Sequence, residues 1–299
     1  MFTSLRNRFQ RSATVERWAR DYLQIVDQRG ARKEIKQKTV DDHYRHVRYI
    51  VDRWGTRRMI DVTPHDVALW LREITDRGNG HTAKRLKLVL GMFYREAQLA
   101  GQVPLGYDPV APVKMPRVKI SRNRLSWSDF EKILAQAQVS EPEYMQRALL
   151  LAIVTGQRRA DIVKMKHSDA FDDYLHIVQH KTGLRLALPL ALRLDVLGMS
   201  IADVFERCRD KSGFDVLLHT TKNVHVSSVS THFRHLRSYA CGRWTEEGTP
   251  PSFHEIRSLS ERLYRAQGID TMTLLGHKSQ RMTDKYHDLR GSEWRRLIL

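Results

Sequence analysis

The chain has 299 residues, of which 51 are Lys or Arg and 34 Asp or Glu, giving a formal net charge of +17 with 41% apolar residues. That balance supports two folded domains with buried cores and excludes a disordered chain, and no apolar run approaches the ~18 residues of a membrane helix. The N-terminal MFTSLRNRFQRS has no apolar signal segment, and only Cys208 and Cys241 are present; this excludes a disulfide framework or cysteine-based zinc site, so a reducing, cytoplasmic setting is expected.

Residues 1–12 read as a basic tail. Four helical patterns follow over 13–103. Thr14 is placed to cap the first, with Val15, Trp18, Tyr22 and Ile25 on one face. Lys38 or Thr39 opens the second, which carries Val40, Val47, Ile50 and Trp54. Thr63-Pro64 puts a cap before a proline at the first position of the third. The fourth runs from Gly80 to Ala100, with Leu86, Val89, Leu90, Phe93 and Ala97 at helical spacing. Gly30, Gly55, Gly78 and Gly101 are expected to close the four helices as C′ glycines.

Pro104, Pro109, Pro112 and Pro116, then Arg117, Lys119, Arg122 and Arg124, read as an extended basic linker over 104–124. A second domain spans 125–299. Ser126 or Ser128 caps a helix over 127–138, an apolar helix covers 142–155, and a short one follows Gly156. Tyr174–Gln179 and Leu184–Leu188 alternate around Lys181-Thr182-Gly183, as a β-hairpin does. Val216–Leu218 is a candidate strand. Helices are expected over 227–241, 252–267 and 270–288, and Trp294–Leu299 suits a terminal strand packing on its own domain or a neighbour's.

The charge is uneven. Residues 1–124 carry a net +13 and residues 125–299 only +4. Such a surplus points to a polyanion, above all nucleic acid, with a plain basic surface as the alternative. Lys84, Arg85, Lys114, Arg117, Lys119 and Arg122 are the candidate DNA contacts. No helix pairs a basic face with a strongly apolar one, which argues against a membrane partner.

There is no phosphate-cradling glycine loop. His254-Glu255-Ile256-Arg257 begins like a zinc-protease helix, but Ser258 stands where the second histidine belongs. His43/His46 and His232/His235 read as solvated or phosphate-contacting, not as metal sites. Gly156 in Thr155-Gly156-Gln157-Arg158 allows a turn that aims Arg158 into a cleft. His254 and Arg257 share a helix face. His277 follows a glycine turn, and Tyr286 comes nine residues later. Each signal is weak alone.

Taken together, the stretches TGQRRADIVKMK, QHKTG, FHEIRSLSERLY, LLGHKS and MTDKYHD resemble the tyrosine recombinase (phage integrase) family, and look especially like integrases of lambdoid phages. The resemblance covers the second domain closely and the first more loosely. It implies a mainly α fold with a small β-sheet, in which a helical core-binding domain and an α+β catalytic domain form a C-shaped DNA clamp. It carries the family's catalytic roles onto Arg158, Lys181, His254, Arg257, His277 and the nucleophile Tyr286, with Asp161 holding Arg158. The implied activity is site-specific recombination that integrates or excises a mobile element such as a prophage. It proceeds through a 3′-phosphotyrosyl link that conserves bond energy, so neither ATP nor any other cofactor is needed. Two arginine forks and a histidine supply the charge a metal supplies elsewhere, so no metal is expected. The implied partners are attachment-site DNA, a homotetramer, a host DNA-bending protein and an excision factor. Lambda-like integrases usually carry a further small N-terminal domain for arm-type sites; here about 12 residues precede the first helical pattern. Two rival readings share these features: a type IB topoisomerase using the same site without partner exchange, and a non-catalytic DNA-binding regulator. The second leaves a nucleophilic tyrosine among phosphate clamps without a use.

Overall fold

A computed structural model describes residues 13–118, 122–140, 142–209, 214–218, 224–242, 244 and 248–287. The chain divides into two compact units between residues 119 and 120.

The first unit is helical: α1 (Val15–Ala31), α2 (Gln37–Trp54), α3 (Pro64–Asp76) and α4 (Gly80–Leu99). The Thr14 hydroxyl accepts from Arg17 N, and Thr63 with Asp66 forms a capping box ahead of Pro64. Trp18, Tyr22, Ile50, Met59, Leu86, Leu90 and Phe93 fill the core, and the Trp18 indole donates to the Phe93 carbonyl at 3.1 Å. Burying each such side chain contributes about 1.5–3 kcal/mol, and the buried indole keeps its donor satisfied.

Several expectations change here. The second helix begins at Gln37, after Lys36. Gly78 and Gly101 have positive φ, but Gly30 lies inside α1 and Gly55 is right-handed. Gly30 serves close packing instead: a Cβ there would meet Val40 Cγ2 at 2.9 Å. His43 and His46 are buried, not solvated. His43 Nδ1 lies 2.9 Å from the Tyr22 hydroxyl, and His46 Nδ1 bonds the Asp42 carbonyl. Their positions on the apolar stripe of α2 decide this, since Val40, Val47 and Ile50 share that face.

Residues 104–118 do not run free of the first unit. Val103 and Val110 are in its core, and the Tyr107 hydroxyl sits between the Ile60 and Val62 carbonyls at 2.7 and 2.8 Å.

In the second unit, Ser126 caps α5 (Trp127–Val139), followed by the mostly apolar α6 (Tyr144–Thr155) and the short α7 (Arg159–Ile162). The strands β1 (Ala170–Phe171), β2 (Tyr174–Val178) and β3 (Arg185–Pro189) form an antiparallel sheet in that order, with Leu175 opposite Leu188 and Ile177 opposite Leu186. A second pair, β4 (Arg193–Leu194) and β5 (Met199–Ser200), leads into α8 (Ile201–Cys208), an element absent from the sequence reading. Val216 makes one isolated bridge to Lys166, so 216–218 is not a strand; its buried Leu217 and Leu218 account for the apolar signal. Then come α9 (Val226–Cys241), α10 (Glu255–Ala266), α11 (Thr271–Leu275) and α12 (Gln280–His287). Helices α6 and α10 are buried through most of their length and form the centre of this unit. The basic tail 1–12, Lys119 and the segment Trp294–Leu299 lie outside the described residues. No described helix is long and apolar enough to cross a membrane.

Candidate active site

Two glycine turns build the floor of the site. α6 ends at Gly156 and α11 at Gly276, both left-handed with φ of 62°. The turns are packed together: a Cβ on Gly156 would meet Leu275 Cδ2 at 2.9 Å. Only a residue without Cβ fits that conformation and that space. Arg257, 2% exposed on α10, runs between the turns. Its Nη1 donates to the Gly156 carbonyl and its Nη2 to the Leu275 carbonyl, each at 2.6 Å. Its Nε finds no partner among the described residues. An unmet buried donor costs about 1–3 kcal/mol.

The residue following the Gly156 turn by two, Arg158, is half-buried, and its Nη1 donates to Gln179 Oε1 at 2.8 Å. Asp161 does not hold Arg158. Its Oδ1 instead accepts from the His180 backbone N–H at 2.6 Å, at the base of the turn that carries Lys181. The one-turn helix α7 points this carboxylate at the hairpin, away from the guanidinium three residues earlier. Lys181 is exposed on that turn.

His277 follows the Gly276 turn and is buried. Its Nε2 lies 3.2 Å from Arg257 Nη2 and its Nδ1 2.9 Å from Thr283 Oγ1. A guanidinium only donates, so Nε2 accepts and the ring proton sits on Nδ1, donated to Thr283. The Tyr286 hydroxyl, on α12, lies 3.2 Å from His254 Nε2 at the start of α10. The Tyr286 ring stands 5.2 Å from the His277 ring and 5.6 Å from Arg257 Cζ, centre to centre and centre to carbon. Ser258 Oγ donates to the Tyr286 carbonyl at 2.7 Å, and Arg124 Nη2 donates to the Lys285 carbonyl at 2.5 Å. Arg124, expected as a linker charge, also pairs with Glu255 at 3.1 Å and braces the tyrosine helix.

The electrostatics follow from two cations in a partly dry cleft. Burial, then the Arg158 cation, lowers Arg257 to about 10, so it stays charged at neutral pH. His254 presents surface to solvent, yet the protein mass around its ring, then Arg257, lowers it to about 4. Burial, then Arg257 and Arg158, lowers His277 to about 4 as well. Both imidazoles are therefore neutral at pH 7, and a neutral imidazole can take a proton.

Arg158, His254, Arg257, His277 and Tyr286 thus come together from α6, α10, α11 and α12, with Lys181 on the adjacent hairpin turn. Sequence reasoning missed Gln157, Gln179, Ser258 and Thr283, whose only advance signal was polar character beside the motif residues. Among the candidate DNA contacts, Lys114, Arg117, Arg85 and Arg122 are exposed and Lys84 is half-buried. Arg85 lies 3.6 Å from Asp42, and Arg122 donates to Ser252 Oγ at 3.1 Å.

Residues 123–293 match the phage integrase family. The prophage integrase IntE of Escherichia coli strain K12 is 40% identical over 97% of this chain and 79% of its own length. The integrase of Escherichia phage lambda is 35% identical over 95% of this chain and 78% of its own. A crystal structure of a lambda integrase dimer bound to a COC′ core site superposes with a TM-score of 0.89 at 34% identity, covering 100% of this chain and 84% of that one. A lambda integrase tetramer bound to a Holliday junction gives 0.89 at 33% identity, covering 99% and 83%. The chain belongs to the phage integrase family and is a tyrosine site-specific recombinase.

Proposed function

We propose that this integrase cuts one DNA strand by attack of Tyr286 on the scissile phosphorus, leaving a 3′-phosphotyrosyl link and a free 5′-hydroxyl. Attack by a 5′-hydroxyl of the partner strand on that link rejoins the DNA and releases the tyrosine. The observation that carries the reading is the Tyr286 hydroxyl 3.2 Å from a neutral His254 Nε2, beside the Arg257 cation.

His254 takes the phenolic proton as attack begins and returns it on reversal. Arg158 and Arg257 hold the non-bridging oxygens, where charge concentrates in the transition state; one such donor contributes about 2.7–4 kcal/mol. Arg257 Nε, which has no partner among the described residues, is a donor suited to that phosphate. An entering phosphate also draws Arg257 Nη2 from His277, and its negative charge raises the histidine, so that His277 can bind a proton at Nε2 and donate it to an oxygen. Lys181 protonates the departing 5′-oxygen. Asp161 acts through the His180 N–H to steady the Lys181 turn.

Lys84, Arg85, Lys114, Arg117, Lys119 and Arg122 are assigned to phosphate contacts away from the scissile phosphate. Exchange between two duplexes needs four cuts, which a tetramer supplies; the lambda integrase tetramer on a Holliday junction supports this. A host DNA-bending protein and an excision factor complete the proposed assembly, which works on DNA in the cytoplasm.

The test is covalent capture from fragmented genomic DNA in chelator, with detergent quench, comparing wild type and Tyr286→Phe. Adducts in wild type alone, enriched for one short sequence, are expected, with equal DNA binding by the variant. Adducts scattered over all sequences favour the topoisomerase reading. Adducts formed by Tyr286→Phe move the nucleophile elsewhere.

A further inference from the structure

We infer that Gln179 is a positioning residue that holds Arg158 through a neutral acceptor, leaving the arginine's whole charge for the scissile phosphate. The inference rests on the active-site reading above.

Gln179 is fully buried just after β2, two residues before Lys181. Its amide is used at every position. Oε1 accepts from Arg158 Nη1 at 2.8 Å and from Thr182 Oγ1 at 2.9 Å. Nε2 donates to Gln157 Oε1 at 2.9 Å and to the Leu275 carbonyl at 3.0 Å. The orientation of the amide is set by chemistry. A guanidinium only donates and a carbonyl only accepts, so the reversed amide would place like against like at both ends. Gln157 Nε2 donates in turn to the Thr155 and Leu274 carbonyls. The two amides therefore join the loop after α6, the Lys181 turn and the end of α11. The Leu275 carbonyl that meets Gln179 is the same one that holds Arg257.

A sunken arginine is ordinarily matched by a carboxylate, because pairing offsets the cost of burying charge. Here both guanidiniums rest on neutral oxygens: Arg257 on two backbone carbonyls, Arg158 on an amide. A carboxylate under either would keep the geometry and cancel the positive field that the phosphate needs. Glutamate at 179 would also face the Leu275 carbonyl with an acceptor. Gln179 meets three demands at once: it accepts from Arg158, donates to Leu275, and carries no charge.

The experiment measures single-turnover formation of the covalent adduct by the full chain on a nicked duplex bearing the captured site. The scissile linkage is either a phosphodiester or a methylphosphonate, which lacks the negative charge. Gln179→Glu is expected to lose about a hundredfold on the phosphodiester, the scale of one transition-state donor, and far less on the methylphosphonate. Wild-type cleavage of the phosphodiester by this variant, or an equal loss on both substrates, overturns the inference. Gln179→Met, neutral and of similar size, covers the case in which the glutamate variant does not fold. It is expected to lose about tenfold, the scale of one hydrogen bond, and nothing further in an Arg158→Ala background. Additive losses in that double mutant overturn the inference, because a general prop acts whether or not the arginine is present. Arg158→Ala alone at full activity would instead overturn the active-site reading, an outcome read separately from Gln179.

Discussion

Charge crowding at a few atoms sets the chemistry of this cleft. His254 and His277 are both held near 4 by burial and by arginine cations. With His254 as the proposed base, cleavage needs it neutral, so the rate should rise with pH along an acid limb. That limb is expected above pH 4, because a bound phosphate offsets the arginine charge and raises the histidine toward its ordinary ~6.5. Single-turnover cleavage from pH 4.5 to 8 checks this, and His254→Gln should flatten the limb; an unchanged limb in that variant assigns it to another group. Arg257→Lys should lower cleavage by about 10²–10³ while changing DNA affinity little, since a lysine cannot span both carbonyls and a phosphate. Comparable loss in binding and cleavage would make Arg257 a mere DNA grip. Arg257, His277 and Tyr286 were readable by motif; Gln179 opens the QHKTG stretch but its role was not readable, because a glutamine at the end of a strand has no assigned partner until the groups around it are known.

At the scale of elements, Arg257 depends on two turns. Gly156→Ala should cost about 1–2 kcal/mol from left-handed strain alone, and more from the 2.9 Å approach to Leu275 Cδ2. Thermal unfolding should show the loss of stability, and cleavage should fall further than stability does, because the displaced Gly156 carbonyl holds Arg257. A variant that melts normally would remove the turn from this account. Helix starts were legible at Thr14, Thr63 and Ser126, where a side chain closes on its own next turn. The same signal stands at Ser200, whose hydroxyl accepts from Asp203 N ahead of α8, and it went unread because the helix has only eight residues. The two-residue strands β4 and β5 had too little alternation to register. Gly30 looked like a helix closer by position alone but packs against Val40 inside α1, whereas Gly55 does end α2, in a right-handed conformation that needs no glycine.

For the whole molecule, charge and acid sensitivity are the readable consequences. With +13 of the net +17 in residues 1–124, non-specific DNA affinity should fall linearly in log–log terms with salt, at about 0.9 per phosphate neutralised. Binding isotherms at several salt concentrations check this, and a flat dependence would leave the basic surface without its polyanion. In the helical unit, burial and the nearby Arg29, Arg45 and Arg85 hold His43 and His46 below their ordinary range. The unfolded chain then binds more protons, so stability should decline as pH drops below about 6.5. Melting temperatures at pH 7.5 and 5.5 measure it, and His43→Asn should reduce the difference. The Tyr22 hydroxyl keeps an oxygen partner in that variant.

The sequence by itself determined most of the helices, the hairpin and the basic bias, because each is written in local spacing or in side-chain chemistry, and its resemblance to a family singled out Tyr286 as the proposed nucleophile. It did not determine that His43 and His46 are core, that residues 104–118 fold back onto the helical unit, or that Asp161 serves the Lys181 turn and Gln179 serves Arg158. Those follow from contacts between residues 19 to 117 positions apart, such as Asp161 with His180 and Gln157 with Leu274. Only the packed chain brings such donors and acceptors within reach, and burial there makes them pair with one another instead of with water.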